Sequence, residues 1–367
     1  MPKKFLVVIN NLAFGGAERL AVDQINELSR RGAWVELLTL VPTNQSGFAN
    51  RLILPPAQIH QLSLNFRQLK NFSALVRFLS TRRDFTVITH LFLANTLVRL
   101  AAMVIWPRPR LVVYEHNVYA QEKKWRHRLI DQFLSLITDR IIAVSAEVRD
   151  FWLTASFRPS RVRLVENGIA VTQTQDLPKP AITKQEWGLS STDFLVVSVG
   201  NVTPQKGYEL ILAVAPILLA KYPTLHFLIC GRAEGSYAVR LKEKAVNLGL
   251  ANHVHFLGAR SDALAIIKAA DIFFMPSWWE GLSISLLEAL SLGRPIVTTD
   301  IPSMRPIIKE PGVGLVFPPG DQAMAASLLD DLLAQPSKRA LYGDRAEKAS
   351  HQYSIVANID RLLAAIS

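Results

Sequence analysis

The sequence predicts an α/β chain of two doubly wound domains that face each other across a cleft. Three observations lead there. At 367 residues the chain is long for one domain and comfortable for two. Short apolar runs alternate with helical periodicity, the rhythm of parallel strands joined by crossover helices. That rhythm breaks at VTQTQDLPKPAITKQ (171–185), a polar stretch with two prolines, and then restarts. The expected domains are 1–175 and 176–351, and a tail helix within 352–367 is expected to pack back on the first.

In the first domain FLVVIN (5–10) reads as a buried strand, and the loop from Asn11 to Gly16 opens a helix that runs to about Arg31. Further strands are expected at Trp34–Leu40, Phe85–His90, Leu111–His116, Ile141–Ser145 and Val162–Val165. The second domain repeats the pattern with FLVVSVG (194–200), LHFLICG (225–231), HVHFLG (253–258), Ile272–Met275, Ile296–Val297 and GLVFPPGD (314–321). Helices are expected from Tyr208, near 237–248, near 262–269, and at Ile355–Ile366, whose spacing is amphipathic.

Composition narrows the setting. The single Cys230 allows neither an intramolecular disulfide nor a cysteine metal site, as expected of a cytoplasmic protein. Lys3 and Lys4 lead straight into the first strand, so no signal peptide is expected, and the apolar stretch Leu91–Trp106 is broken by Arg99 and too short to span a bilayer. Residues 1–175 hold 23 Lys and Arg against 12 Asp and Glu, whereas 176–367 hold 18 of each, so the whole excess of +11 lies in the first half. Such a field favours an anionic partner, a membrane leaflet, a lipid phosphate or nucleic acid, or serves solubility alone. No nucleic-acid recognition motif accompanies it.

The stretch from Asp271 to Asp300 carries the most chemistry. A strand reaches a turn with Glu280 and Gly281, and a helix follows with Glu288 among leucines. An ionised carboxylate in such company is costly unless something donates to it, and sugar or ribose hydroxyls are candidates. Gly15 and Gly16 after the first strand form either an anion site at a helix N-terminus or a simple tight turn. Lys206-Gly207 holds the matching place in the second domain, as a diphosphate contact or a surface turn. His116 ends a strand, where it hydrogen-bonds a substrate or completes its own domain. Trp125 lies among Lys123, Lys124, Arg126, His127 and Arg128, on a helix suited to an anionic membrane or to packing on its own domain.

Taken together, GGAER (15–19), EHN (115–117), ENGI (166–169), Lys206-Gly207, HFLG (255–258) and EGLSISLLEALSLGRPIV (280–297) resemble the family 4 retaining glycosyltransferases. These have the GT-B fold, two Rossmann-like domains about a cleft. The resemblance implies a hexosyltransferase that uses a nucleotide-diphosphate sugar as its donor substrate, with UDP favoured, and needs neither cofactor nor metal. The expected acceptor is a surface polysaccharide or lipid-linked glycan at the inner face of the plasma membrane. The catalytic set it implies is Glu280 on the transferred sugar, Lys206 on the leaving diphosphate and His116 on the donor sugar. Donor binding would fall to Glu288 on the ribose, to the amides of Gly281, Leu282 and Ser283, and to Gly16. One position departs from the family pattern. Asn201 stands where an arginine is usual, which removes a diphosphate cation that Arg232 or Arg260 would have to replace. A sugar-nucleotide epimerase or hydrolase on the same architecture, or a binding subunit without catalysis, would keep the same fold.

Overall fold

The computed structural model describes residues 3–42, 47–64, 70–116, 125–170 and 177–367. The chain divides into two compact units, Met1–Ala170 with Ile355–Ser367, and Val171–Ser354.

The first unit is built on seven strands, β1 (Lys4–Ile9), β2 (Trp34–Thr39), β3 (Ile59–Gln61), β4 (Thr86–His90), β5 (Arg110–Glu115), β6 (Arg140–Ala143) and β7 (Val162–Leu164). They pair in parallel in the order β3-β2-β1-β4-β5-β6-β7. Because both faces are covered by helices, the central strands are near-continuous apolar runs rather than alternating ones, and Leu6 to Ile9 are all fully buried. The short β3 lacked a recognisable apolar run in the sequence; it is an edge strand whose residues are not buried. The chain reverses its direction of winding between β1 and β4, which makes the carboxyl ends of these two strands the expected ligand position.

The second unit repeats the plan with β8 (Phe194–Val199), β9 (Leu225–Cys230), β10 (Val254–Gly258), β11 (Ile272–Met275), β12 (Ile296–Thr299) and β13 (Leu315–Phe317). The order is β10-β9-β8-β11-β12-β13, again parallel, with the reversal between β8 and β11. Phe227, Phe274 and Phe317 anchor its core against the helix Glu209–Leu219 and the helix Gln322–Ala334.

The expected linker is only partly a linker. Residues 171–176 lie outside the described residues, but Pro180–Gln185 forms a helix with Thr183 and Lys184 buried. Proline suits the first turn of a helix, where its missing N–H costs nothing. Lys184 Nζ then donates to the Asp193 carbonyl at 2.6 Å and pairs with Asp271 at 3.2 Å, interactions that no local pattern announces.

The tail helix Ile355–Ile366 returns to the first unit and lies on the helix Gly16–Arg30. A buried polar seam fixes it there. Gln24 Nε2 donates to Tyr114 Oη and to Asn358 Oδ1, both at 2.9 Å, and Asn358 Nδ2 donates to the Glu166 carbonyl at 2.6 Å. At the surface Arg31 pairs with Asp360.

Arg99, on the helix Phe92–Ala102, is fully buried and pairs with buried Asp131, while its Nε donates to the Asn95 carbonyl at 2.7 Å. Asp131→Ala strands a buried guanidinium. It should lower stability by about 3–5 kcal/mol, read as the shift in urea midpoint; a loss below about 1 kcal/mol would mean that Arg99 is satisfied without its partner.

Candidate active site

The loops after β8 and β11 meet at the reversal point of the second sheet, and backbone bonds hold them together. Trp278 N–H donates to the Gln205 carbonyl at 2.8 Å, and Gln205 Nε2 donates to the Trp279 carbonyl at 2.9 Å. From β12, Thr298 Oγ1 donates to the Met275 carbonyl at 2.9 Å and Thr299 Oγ1 to the Ser277 carbonyl at 2.6 Å. The loop after β11 is therefore braced from both neighbouring strands.

This bracing brings together two side chains that are 74 residues apart: Lys206 Nζ lies 2.6 Å from Glu280 Oε1. Glu280 is buried, and Ser277 Oγ donates to the same carboxylate oxygen at 2.7 Å. Local geometry sets the lysine. Pro204–Lys206 is a single 3-10 turn, and Gly207 follows with φ +62°, a conformation that side chains disfavour. A Cβ at Gly207 would also stand 2.2 Å from the Pro276 carbonyl oxygen, so this close approach needs glycine. Gly200 is the other close contact, since a Cβ there would meet Lys206 Cε at 2.9 Å and Tyr208 Oη at 3.0 Å.

Glu288 lies buried on the helix Ile284–Ser291. Ser283 caps that helix through its Oγ, which accepts from Leu286 N–H at 3.4 Å and is 3.0 Å from Ser285 Oγ. Gly281, Leu282 and Ser283 are buried just ahead of it, so the positive end of the helix dipole faces the end of the sheet that carries Glu280. Among the described residues no group of three or more His, Cys, Asp or Glu is arranged to hold a metal ion.

Two expected donor contacts are engaged otherwise. Asn201 Oδ1 accepts from Arg232 N–H at 3.2 Å, so it serves as a turn-forming residue. Arg260 forms a two-pronged pair with Asp262, both bonds at 2.7 Å, as the fork shape of a guanidinium favours when a carboxylate is two residues away.

In the first unit His116 follows β5 and is half-buried. Its Nε2 is 3.0 Å from Nδ1 of fully buried His90, which the register of β4 and β5 sets beside Tyr114. The rings of His90 and Tyr114 stack with centroids 4.7 Å apart. Burial, and then the neighbouring His116, hold His90 well below the usual histidine range. Burial alone pushes His116 down to about 4. Both rings are neutral at pH 7, so His116 can hydrogen-bond a ligand without charging. Next to His90, Leu91 has φ +72°, an uncommon strain for leucine at this reversal point. Gly16 begins its helix as expected, with Gly15 extended before it. Asn117 lies outside the described residues, as do Lys123 and Lys124.

The sequence did not point to Ser277, to the Gln205–Trp279 clasp or to His90. Gln205 and His90 act through partners far along the chain, and Ser277, though only three residues before Glu280, belongs to no motif.

Two family models match, Glycosyltransferase Family 4 over residues 14–173 and Glycosyl transferases group 1 over 181–349. The chain belongs to the family 4, group 1 glycosyltransferases. This glycosyltransferase is 24% identical over 332 residues to the Escherichia coli UDP-Gal:alpha-D-GlcNAc-diphosphoundecaprenol alpha-1,3-galactosyltransferase, covering 85% of this chain and 82% of that protein. It is 27% identical over 247 residues to the lipopolysaccharide core biosynthesis mannosyltransferase LpsB of Rhizobium meliloti, covering 65% and 68%. Among solved structures, Anabaena HepE in complex with UDP and glucose superposes with a TM-score of 0.84 at 18% identity over 99% of both chains. That likeness establishes the two-domain GT-B fold.

The histidine pair gives this glycosyltransferase a stability that depends on pH. Both pKa values are depressed in the folded state, so the unfolded chain binds more protons below its own histidine pKa of about 6.5. The contribution is fully present above about pH 6.5 and is lost as the pH falls toward 4. Between pH 7 and 5 the urea midpoint should fall, and His116→Asn should flatten that fall by on the order of 2 kcal/mol. An unchanged slope in the variant would show that His116 protonates freely in the folded protein.

Proposed function

We propose that this glycosyltransferase transfers a sugar from a UDP-sugar to a hydroxyl of a cell-surface polysaccharide or lipid-linked glycan, with retention of configuration and without a metal. The observation that carries the reading is the Lys206–Glu280 pair at 2.6 Å, at the reversal point where ligands bind in sheets of this order. Relatives that use or bind UDP-sugars support the nucleotide, and those that build lipid-linked or lipopolysaccharide glycans support the acceptor class.

In this reading the second unit holds the donor and the first holds the acceptor. Glu288 binds the ribose, Glu280 binds the hydroxyls of the moving sugar, and the amides of Gly281 to Ser283 meet the diphosphate. The bond from the anomeric carbon to the phosphate oxygen breaks and a bond to the acceptor oxygen forms on the same face. The acceptor proton passes to the departing phosphate oxygen, and Lys206 stabilises the negative charge that grows there. His116, neutral, and Gly16 are the candidate ligand contacts of the first unit.

Glu280→Ala and Lys206→Ala should each lower turnover by at least about 100-fold while leaving the thermal melting temperature within a few degrees. The assay is donor consumption by NMR with a lipid-linked acceptor, which also reads the product anomer. Near-normal transfer by both variants, or an inverted anomer, would refute the assigned roles.

We further infer that the first unit rests on the anionic inner face of the plasma membrane. No helix among the described residues is long and apolar enough to cross a membrane. The first unit nevertheless exposes Met103, Val104 and Trp106 (61%, 69% and 88% exposed), just after the helix Phe92–Ala102, and Phe133 (61%), on the helix Trp125–Leu134 that contacts it. Phe133 packs edge-on to exposed Phe157 at 5.5 Å, and Arg83 Nη1 donates to the Trp106 carbonyl at 2.9 Å. Exposed Arg83 and Arg158 lie beside Trp106 and Phe157, and Arg128 and Arg163 are exposed in the same unit. An apolar face with a guanidinium rim suits headgroups and acyl chains together. The protein should sediment with phosphatidylglycerol vesicles at low salt and less so at high salt, and Trp106→Asp with Phe133→Asp should abolish this. Equal sedimentation with phosphatidylcholine vesicles, or none with either lipid, would remove the membrane from the reading.

A further inference from the structure

The donor end of the second unit contains a cation that no side chain among the described residues pairs with. The other basic side chains near the carboxyl ends of these strands are engaged: Lys206 with Glu280 at 2.6 Å, Arg260 with Asp262 at 2.7 Å, and Arg305 and Lys309 with Asp300 at 2.6 and 2.7 Å. Arg232, two residues beyond β9, is half-buried, and its guanidinium has no hydrogen-bond or ion-pair partner among the described residues. Its nitrogens are not among the sealed, unpartnered atoms of the described residues, so an anionic ligand can meet it without breaking an internal pair.

Its backbone, in contrast, is fixed. Arg232 N–H donates to Asn201 Oδ1 at 3.2 Å, and its carbonyl accepts from Val202 N–H at 2.8 Å. The preceding Gly231 is pressed against the loop after β8, since a Cβ there would lie 2.1 Å from the Gly200 carbonyl oxygen. Gly200 in turn is against the Lys206 side chain, where a Cβ would meet Cε at 2.9 Å. Gly231, Gly200 and Lys206 thus form one continuous contact across the ends of β9 and β8.

We propose that Arg232 is the second cation of the donor-diphosphate site and contacts the phosphate nearer the nucleoside. The inference rests on the donor reading above. Three features argue for it. Lys206 is already countered by Glu280, and Asn201 brings no charge, so a diphosphate whose negative charge grows as the sugar leaves needs another cation. The strand order places β9 on the side of β8 away from β11, so Arg232 approaches from the side opposite Glu280 and hence away from the sugar. The β9 end also feels the ribose carboxylate: burial, then Asp262 and Glu288, push the adjacent Cys230 thiol up to about 12. Asn201 acquires a purpose from this arrangement, because its amide oxygen fixes the turn that presents Arg232.

The test uses the full chain and calorimetry with UDP and UMP, with uridine read by ligand-observed NMR. GDP, GMP and guanosine, or the adenosine series, replace them if that diphosphate gives the larger thermal shift in the unsubstituted protein. Arg232→Gln should weaken the diphosphate and the monophosphate alike by about 10- to 100-fold, leave the nucleoside within about 2-fold, and make the affinity less sensitive to salt. Arg232→Lys, which keeps the charge but not the fork, should retain an intermediate affinity. Unchanged diphosphate affinity in Arg232→Gln overturns the inference, as does an equal loss for the nucleoside with a lower melting temperature, which would mark a folding role. A loss for the diphosphate alone also overturns it, since it would move the contact to the sugar-side phosphate. If the unsubstituted protein binds none of the three nucleoside diphosphates, the donor reading itself fails and this inference fails with it.

Discussion

The ligand end of the second unit depends on one ion pair. Lys206 and Glu280 come from loops after adjacent strands and are both largely removed from solvent, at 15% and 7% side-chain exposure. Desolvating two charges consumes most of what their attraction returns, so such a pair is a poor source of net stability. What it provides is position. The carboxylate also accepts from Ser277, and the lysine is confined between Gly200 and a left-handed Gly207.

The first unit solves a parallel problem with neutral groups. At its own reversal point two histidines share a hydrogen bond beneath Tyr114, beside a strained Leu91, and burial keeps both uncharged. The two units therefore differ electrostatically at corresponding places in the same topology. One presents a charged pair and a bare guanidinium, and the other presents imidazole. The uneven distribution of charge along the chain follows a different logic, because the basic excess lies in the first half, which also exposes Met103, Val104, Trp106 and Phe133, remote in sequence from Glu280 and Lys206.

Much of the fold was legible because parallel sheets buried on both faces require long apolar strands, and those stand out in any sequence. The edge strand Ile59–Gln61 was not, since it buries little, and Pro180–Gln185 was obscured by prolines that in fact begin a helix. For the site, the two glutamates and the Lys-Gly turn were visible because each is tied to a local feature, a helix start or a left-handed glycine. Arg260, offered by the sequence as one substitute for the missing arginine, is paired with a carboxylate two residues away, a contact the motif pattern did not announce.

The sequence by itself determined the number of domains, the parallel α/β architecture, the identity of Glu280, Glu288, Lys206 and His116 as chemically notable, and the place of the basic excess. Each of these rests on periodicity, turn chemistry or composition, properties of short stretches. Only the tertiary structure decided which groups meet. Lys206 found Glu280, His116 found His90, the tail helix found Gln24, and the Arg232 guanidinium was left without a partner among the described residues. Those outcomes turn on strand order, because it is the neighbouring of β8 with β11 and of β8 with β9 that fixes which loop ends share a site, and local sequence does not encode that order.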